Sequence, residues 1–146
     1  MEDLLFEINE TARVIRRAFD QRAADMGVTR SQWRVLARLK RQPSLRQVEL
    51  ADILEVEPIT LCRIVDRLEE AGLVERQPDP SDRRAWRLAL TEKAQPVIRS
   101  LKSVAGTLAD EAFGGLKGSD VDAFRRDLLK IRANLSTTNE KNRASA

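Results

Sequence analysis

Arginine is the residue type whose number and spacing in this chain point to a chemical role. Six basic residues and no acidic residue lie between Arg30 and Arg46, and four arginines lie between Arg76 and Arg87. A guanidinium pairs with phosphate oxygens and can donate two parallel hydrogen bonds to the edge of a guanine base. These stretches indicate a surface that binds an anionic partner, the alternative being a solvated helix face and loop.

Residue sets for catalysis or metal binding are missing from the sequence. The chain has no histidine and a single cysteine, Cys62. Zinc sites, Ser-His-Asp triads and internal disulfides all need residues that this composition does not supply. We therefore expect no enzyme activity, no cofactor and no metal, and we expect Cys62 to be either a small packing residue or a redox sensor.

The composition is typical of a helix-rich globular protein that forms one compact unit. Of the 146 residues, 42% are hydrophobic and 34% are charged, and the net charge is a modest +3. No apolar run approaches the roughly 18 residues that a membrane span needs. The acidic start, from Met1 to Glu10, lacks the pattern of a signal peptide. We expect a cytoplasmic protein with no membrane partner.

Apolar spacing and helix caps predict four helices in the first half of the chain. Leu4 to Phe19 carries an apolar stripe at helical spacing. Thr29 and Ser44 each precede a glutamine by three residues, which is the spacing of a capping box for the second and third helices. Pro58 suits the first turn of a fourth helix, and Gly72 suits its left-handed end.

A two-residue period replaces the helical period after Gly72. Leu73 to Arg76 and Trp86 to Leu90 alternate apolar and polar residues, and the segment between them is rich in turn-forming residues. This pattern predicts a two-stranded hairpin with a projecting tip. Two more helices follow, so the order is that of a helix-turn-helix with a wing, flanked by terminal helices.

The fourth helix has two faces of different composition. If Leu61, Val65 and Leu68 point into the core, helical geometry places Arg63 on or near the opposite side. The second helix of a helix-turn-helix enters the major groove with its N-terminal end first, so Arg63 would donate to guanine. The alternative is an exposed helical arginine paired with Glu57, with Arg67 or with nothing useful. The residues assigned to DNA contact on this helix are Pro58, Ile59, Thr60, Cys62, Arg63 and Arg67.

The hairpin tip carries a second group of candidate DNA contacts. Ser81-Asp82-Arg83-Arg84 places two adjacent arginines on a narrow projection that can reach the minor groove, where Asp82 would orient them. A solvated turn with an incidental Asp-Arg pair is the alternative. The residues assigned to DNA contact at the tip are Asp82, Arg83 and Arg84, and two further assigned residues, Ser44 and Arg46, lie before the third helix.

Four stretches of the sequence resemble the MarR family, and within it the SlyA-like branch: Leu50-Ala51-Asp52, Thr60 to Arg76, Asp79 to Ala85, and Leu88 to Ala94. The resemblance implies a mainly α (α+β) fold, a winged helix-turn-helix with a two-stranded wing and terminal dimerisation helices. It also implies a transcriptional regulator that binds an inverted-repeat operator in double-stranded DNA as a homodimer. The expected segments are an N-terminal dimerisation helix at 1–28, the DNA-binding region at 29–91, C-terminal dimerisation helices at 92–135 and a disordered tail at 136–146.

The resemblance places the dimer interface on the first and last helices of each subunit. Both helices carry apolar stripes that a lone subunit would leave exposed. The residues assigned to dimerisation are Leu4, Leu5, Ile8, Val121, Phe124, Leu128 and Ile131.

MarR-type proteins commonly bind small aromatic acids or phenols, which implies an effector cleft near Trp33. The alternative for Trp33 is an ordinary core residue. Because the chain has no tyrosine or histidine, an arginine among Arg16, Arg17 and Arg34 would hold the acidic group. The residues assigned to this ligand are Ile15, Phe19, Trp33 and Arg17. The rival interpretation of the whole chain is a winged-helix module that binds a protein partner and not specific DNA.

Overall fold

The computed structural model describes residues 1–144, with side chains through residue 136. Six helices and one two-stranded antiparallel sheet follow one another in the predicted order, which confirms the winged helix-turn-helix. The chain folds into two units, Met1–Leu108 and the segment from Ala109 onward. The elements are α1 (Glu2–Asp25), α2 (Arg30–Arg41), α3 (Gln47–Leu54), α4 (Pro58–Glu70), β1 (Val74–Pro78), β2 (Trp86–Leu90), α5 (Ala94–Ala112) and α6 (Gly118–Ala144).

Local capping explains where α2 and α4 begin and end. Thr29 Oγ1 accepts from the N–H of Gln32 at 3.3 Å, and Gln32 Oε1 accepts from the N–H of Thr29 at 3.0 Å, so the predicted capping box is confirmed. Pro58 is the first residue of α4, as predicted. Gly72, with φ at +72°, turns the chain out of α4 in a conformation that favours glycine.

The predicted capping box at Ser44 is wrong. Ser44 has a left-handed φ of 63° and lies before the helix, while the residue that caps α3 is Arg46. The N–H of Arg46 donates to Glu49 Oε2 at 2.8 Å. The intervening Leu45 carbonyl accepts from the N–H of Leu88 at 2.9 Å, which holds this segment against β2 and delays the start of α3.

The core of the first unit lies between α2, α3, α4 and the sheet. Leucines on one face of each of these helices are fully buried, which places the helix-turn-helix on an apolar base. On α3, Val48 is 64% exposed, whereas Leu50, Ala51 and Leu54 are buried and face the core. The fully buried large side chains are Val35, Leu36, Leu39, Leu50, Leu61, Val65, Leu68, Val74 and Leu88.

The wing is a hairpin in which Val74 pairs with Leu90 and Pro78 pairs with Trp86. Leu88 is buried and Trp86 is exposed, so only the inner end of the hairpin belongs to the core. The loop between the strands projects from this anchored end.

The second unit contains the end of α5 and all of α6. Phe113, Val121, Phe124 and Leu128 line an apolar groove of about 560 Å³ within it. The helix α6 continues to Ala144, which differs from the disordered tail predicted at 136–146; the final residues 145–146 lie outside the described part of the chain. None of the helices described here is both long enough and apolar enough to cross a membrane.

Candidate nucleic-acid interface

The outer face of α4 presents polar and cationic side chains to solvent. Its inner face, with Leu61, Val65 and Leu68, is fully buried, so the orientation of the helix is determined by packing. Ile59 is 62% exposed, and Pro58, Thr60, Arg63 and Arg67 are also exposed. This arrangement confirms the predicted division of α4 into a core face and a free face.

Among the side chains described, through residue 136, Arg63 makes no hydrogen bond and no ion pair, and thus none with Glu57. The same holds for Arg67. A guanidinium with five unsatisfied donors on an exposed helix face is available to an external acceptor.

Cys62 lies half-buried beside this face and not on it. Its thiol is 4.0 Å from Asp66 Oδ2 and 3.6 Å from an Arg76 nitrogen. Polar neighbours on its own helix and on β1 therefore enclose the Cys62 side chain. It is less exposed than the Arg63 side chain.

The tip of the wing exposes Arg83 and Arg84. The sequence predicted that Asp82 would orient their guanidinium groups, but it does not. Its Oδ1 instead accepts from the backbone N–H of Arg84 at 3.0 Å. Aspartate side chains commonly accept a hydrogen bond from a backbone N–H of their own turn. This hydrogen bond shapes the turn and leaves both arginine side chains free among the described residues.

A buried carboxylate anchors the base of the wing. The Asp79 side chain is fully enclosed, and its Oδ1 accepts from the hydroxyl and N–H of Ser81 at 2.7 and 2.8 Å. Its Oδ2 lies 2.8 Å from Arg46 Nε and 2.8 Å from Arg87 Nε, the second as an ion pair without directed hydrogen-bond geometry. The hydrogen bonds from Ser81 and then from Arg46 hold the pKa of Asp79 far below its usual range.

The two assigned residues before α3 are part of this anchor. The Arg46 guanidinium also donates to Ser81 Oγ at 3.1 Å and remains about one-third exposed. Ser44 is exposed, and its carbonyl accepts from Arg87 at 2.8 Å. Contact of Ser44 or Arg46 with DNA stays a prediction. Arg46 already donates to Asp79 and Ser81 within the protein.

A cavity of about 430 Å³ lies between α1, α2 and α5. Phe19 and Trp33, both predicted ligand residues, line it with their ring centroids 4.6 Å apart. Trp33 Nε1 donates to Asp20 Oδ1 at 2.9 Å, which fixes the indole ring. The other predicted residues, Ile15 and Arg17, do not line the cavity.

Three cations at this cavity were missed by the sequence analysis. Lys40 and Arg41 come from α2, and Lys102 comes from α5. They surround apolar walls that include Ile98 and Leu101. Arg34, another candidate for an acidic group, instead donates to the carbonyl of Leu54 at 2.8 Å. Apolar walls with converging cations suit a small molecule that has an aromatic body and an anionic group.

The residues assigned to dimerisation are exposed or half-buried in each unit taken by itself. In the first unit, Leu4 and Leu5 are exposed and Ile8 is half-buried. In the second unit, the exposed residues are Phe124 and Ile131, and the half-buried ones are Val121 and Leu128.

Comparison with known proteins agrees with this geometry. A family model described as "MarR family" matches residues 28–86, a range that contains α2, α3, α4, β1 and the first residue of β2. The crystal structure of the transcriptional regulator PA3341 is 34% identical, with 92% of this chain and 98% of that chain covered and a TM-score of 0.81. A MarR transcriptional regulator from Methanosarcina mazei Go1 is 25% identical, with 92% and 96% covered and a TM-score of 0.81.

A further similar structure was determined with nucleic acid. It is a cysteine-to-serine mutant of MarR from E. coli complexed with operator DNA, 26% identical, with 88% of this chain and 93% of that chain covered and a TM-score of 0.72. The matched sequence, the winged helix-turn-helix and these likenesses over nearly the whole length lead to one assignment. The chain belongs to the MarR family of transcriptional regulators.

Proposed function

We propose that this protein binds a specific sequence in double-stranded DNA through α4 and the wing, and thereby regulates transcription. The observation that carries the proposal is Arg63, whose guanidinium has no partner in the described part of the chain and lies on the exposed face of a helix whose opposite face is core. Such a side chain can donate two hydrogen bonds to guanine O6 and N7 in the major groove. The similar MarR mutant from E. coli was determined in complex with operator DNA, which supports DNA as the partner.

The wing extends the proposed interface to the minor groove. Arg83 and Arg84 are exposed at its tip, and Asp79 fixes its base to the segment before α3. Narrow minor grooves concentrate negative potential and attract arginine side chains. We infer that α4 supplies base recognition and that the wing adds affinity and fixes the register.

A homodimer on an inverted repeat is the proposed assembly. Exposed apolar side chains on α1 and α6 support it, because a monomer rarely leaves such patches uncovered. In a two-fold dimer the recognition helices would lie roughly 34–36 Å apart, one turn of DNA. We also propose a cytoplasmic location, because the proposed partner is DNA, and membership of the SlyA-like branch, because of the sequence resemblance.

A small aromatic acid or phenol is the proposed effector. The cavity beside Trp33 combines aromatic walls with Lys40, Arg41 and Lys102 at its edge. Because α2 and α5 both line this cavity, a ligand there could alter the spacing between recognition helices in a dimer and lower DNA affinity.

Selection of bound sequences from a random duplex library tests the proposal. We expect enrichment of one inverted-repeat motif whose half-sites are about one helical turn apart. Enrichment of a single unrepeated half-site would overturn the dimeric assembly. A library that shows no enrichment and no retention at low salt would favour the rival function, a module that binds a protein partner.

A further inference from the structure

Arg76 on β1 is a largely enclosed arginine at the junction of α3, α4 and the wing. Its side chain is 16% exposed, and its Nε donates to Gln47 Oε1 at 3.0 Å. Its Nη2 donates to Asp66 Oδ1 at 2.6 Å and to the carbonyl of Cys62 at 3.3 Å, while Nη1 pairs with Glu69. One side chain therefore ties β1 to the first residue of α3 and to the middle of α4.

The charge of α4 makes these contacts significant for DNA binding. The helix carries more acid than base, with two arginines and three carboxylates: Arg63, Arg67, Asp66, Glu69 and Glu70. Asp66 is about half exposed and lies three residues after Arg63, which places both on the same side of the helix. A carboxylate at that position would be repelled by DNA phosphates unless a cation compensates its charge.

Arg76 supplies that cation from a neighbouring strand. Burial alone lowers the pKa of Arg76, but the hydrogen bonds to Asp66 and Glu69 outweigh this effect and raise it. The guanidinium therefore remains charged at all physiological pH values. Arg76 brings one positive charge to the two carboxylates, so it halves the negative charge that Asp66 and Glu69 would otherwise present beside Arg63.

We propose that Arg76 is a positioning residue for DNA recognition, which holds α4 against α3 and β1 and partly offsets the charge of Asp66 next to Arg63. The proposal rests on the proposed DNA-binding function. It assigns Arg76 no contact with DNA, since its donors are already taken by groups of the protein.

A double-mutant cycle on the duplex selected by the wild-type protein tests the proposal by fluorescence anisotropy. We expect Arg76→Met to weaken binding at least about tenfold and Asp66→Asn alone to change it less than about threefold. Adding Asp66→Asn to Arg76→Met should restore binding by about threefold or more, because the uncompensated charge is removed. A double variant that binds no better than Arg76→Met would overturn the charge-compensation role.

Arg87→Met provides a matched control, because Arg87 is also a half-buried strand arginine paired with a carboxylate, in its case Asp79. Asp66→Asn should give no recovery in that background. If thermal melting shows that Arg76→Met does not fold, the same cycle is run with Arg76→Lys, which keeps the charge but loses the planar fork. The affinity of Arg76→Lys for the selected duplex should then be lower than that of the wild type but still measurable, and adding Asp66→Asn should not raise it. A gain as large as that expected for Arg76→Met would contradict the proposal.

The outcome for the wild-type protein separates this proposal from the function on which it rests. Wild-type protein that ignores every duplex refutes the proposed function itself. Wild-type protein that binds the selected duplex, combined with no recovery by Asp66→Asn in the Arg76→Met background, refutes only the role of Arg76.

Discussion

Arg46 and Asp79, which are 33 residues apart in the sequence, form an ion pair with Arg46 Nε 2.8 Å from Asp79 Oδ2. Arg46 caps α3, and Asp79 follows the last residue of β1, so the pair joins the helix-turn-helix to the base of the wing. Arg87 on β2 approaches the same carboxylate oxygen at 2.8 Å. The position of the wing tip relative to α4 therefore depends on one enclosed carboxylate.

The stability of the protein should depend on the ionisation of Asp79. Its folded-state pKa is depressed below the ordinary value of 3.8, because the carboxylate accepts from Ser81 and Arg46. A depressed pKa stabilises the fold at pH values above the unfolded value, and this contribution is lost as the pH falls below it. The titration of Asp79 should leave the urea midpoint of the wild type unchanged above about pH 5 and should lower it as the pH falls toward about 2.

Asp79→Asn isolates this contribution. The variant should have a lower urea midpoint than the wild type at about pH 6, and a smaller further decrease on acidification, because the titrating group is absent. Asp82→Asn is the matched control, since that carboxylate is exposed and bonds only its own turn. Identical pH profiles for wild type and Asp79→Asn would show that Asp79 does not anchor the wing.

The arginines of the wing should contribute to the salt dependence of DNA binding. Each phosphate contact adds about 0.9 to the slope of log affinity against log salt, so Arg83→Gln and Arg84→Gln should each make the slope shallower by about that amount. Arg99→Gln, an exposed arginine on α5, serves as control. A slope that is unchanged in both wing variants would place the wing away from the DNA.

The cavity beside Trp33 should bind an aromatic carboxylate, for which benzoate is a suitable probe. The chain has two tryptophans, so Trp86→Phe leaves Trp33 as the sole fluorophore, and benzoate should quench it saturably. Lys102→Gln in that background should weaken the binding about tenfold, as expected for loss of a charged hydrogen bond. The exposed Lys117→Gln is the control. Equal benzoate affinity in the Lys102 and Lys117 variants would exclude the cavity as the anion site.

Features that depend on neighbouring residues could be predicted from the sequence. The start of α4 at Pro58, its left-handed end at Gly72 and the burial of Leu61 on one side all follow from local geometry. The exposure of Arg63 then follows from the helical period. For this reason the exposed face of α4 was predicted correctly, while its contact with DNA stays a prediction.

Features that depend on distant residues could not be predicted in the same way. The partnership of Asp79 with Arg46 and Arg87 requires the wing to fold back on the segment before α3, and no spacing in the sequence encodes it. The Leu45 carbonyl accepts from Leu88 on β2, and the N-terminal cap of α3 lies at Arg46 instead of the expected Ser44, which likewise depends on a distant strand. The cations of the cavity converge from separate helices, so their residue types alone gave no signal.

The affinity of Arg63→Ala for the selected duplex and for a scrambled duplex of equal length tests the central claim most directly. We expect specific binding to weaken by about 1–3 kcal/mol, while binding to the scrambled duplex changes little, because Arg63 contacts a base edge. Arg99→Ala should leave both affinities unchanged, since Arg99 lies on α5. Equal loss on the two duplexes, or no loss on either, would contradict base recognition by Arg63.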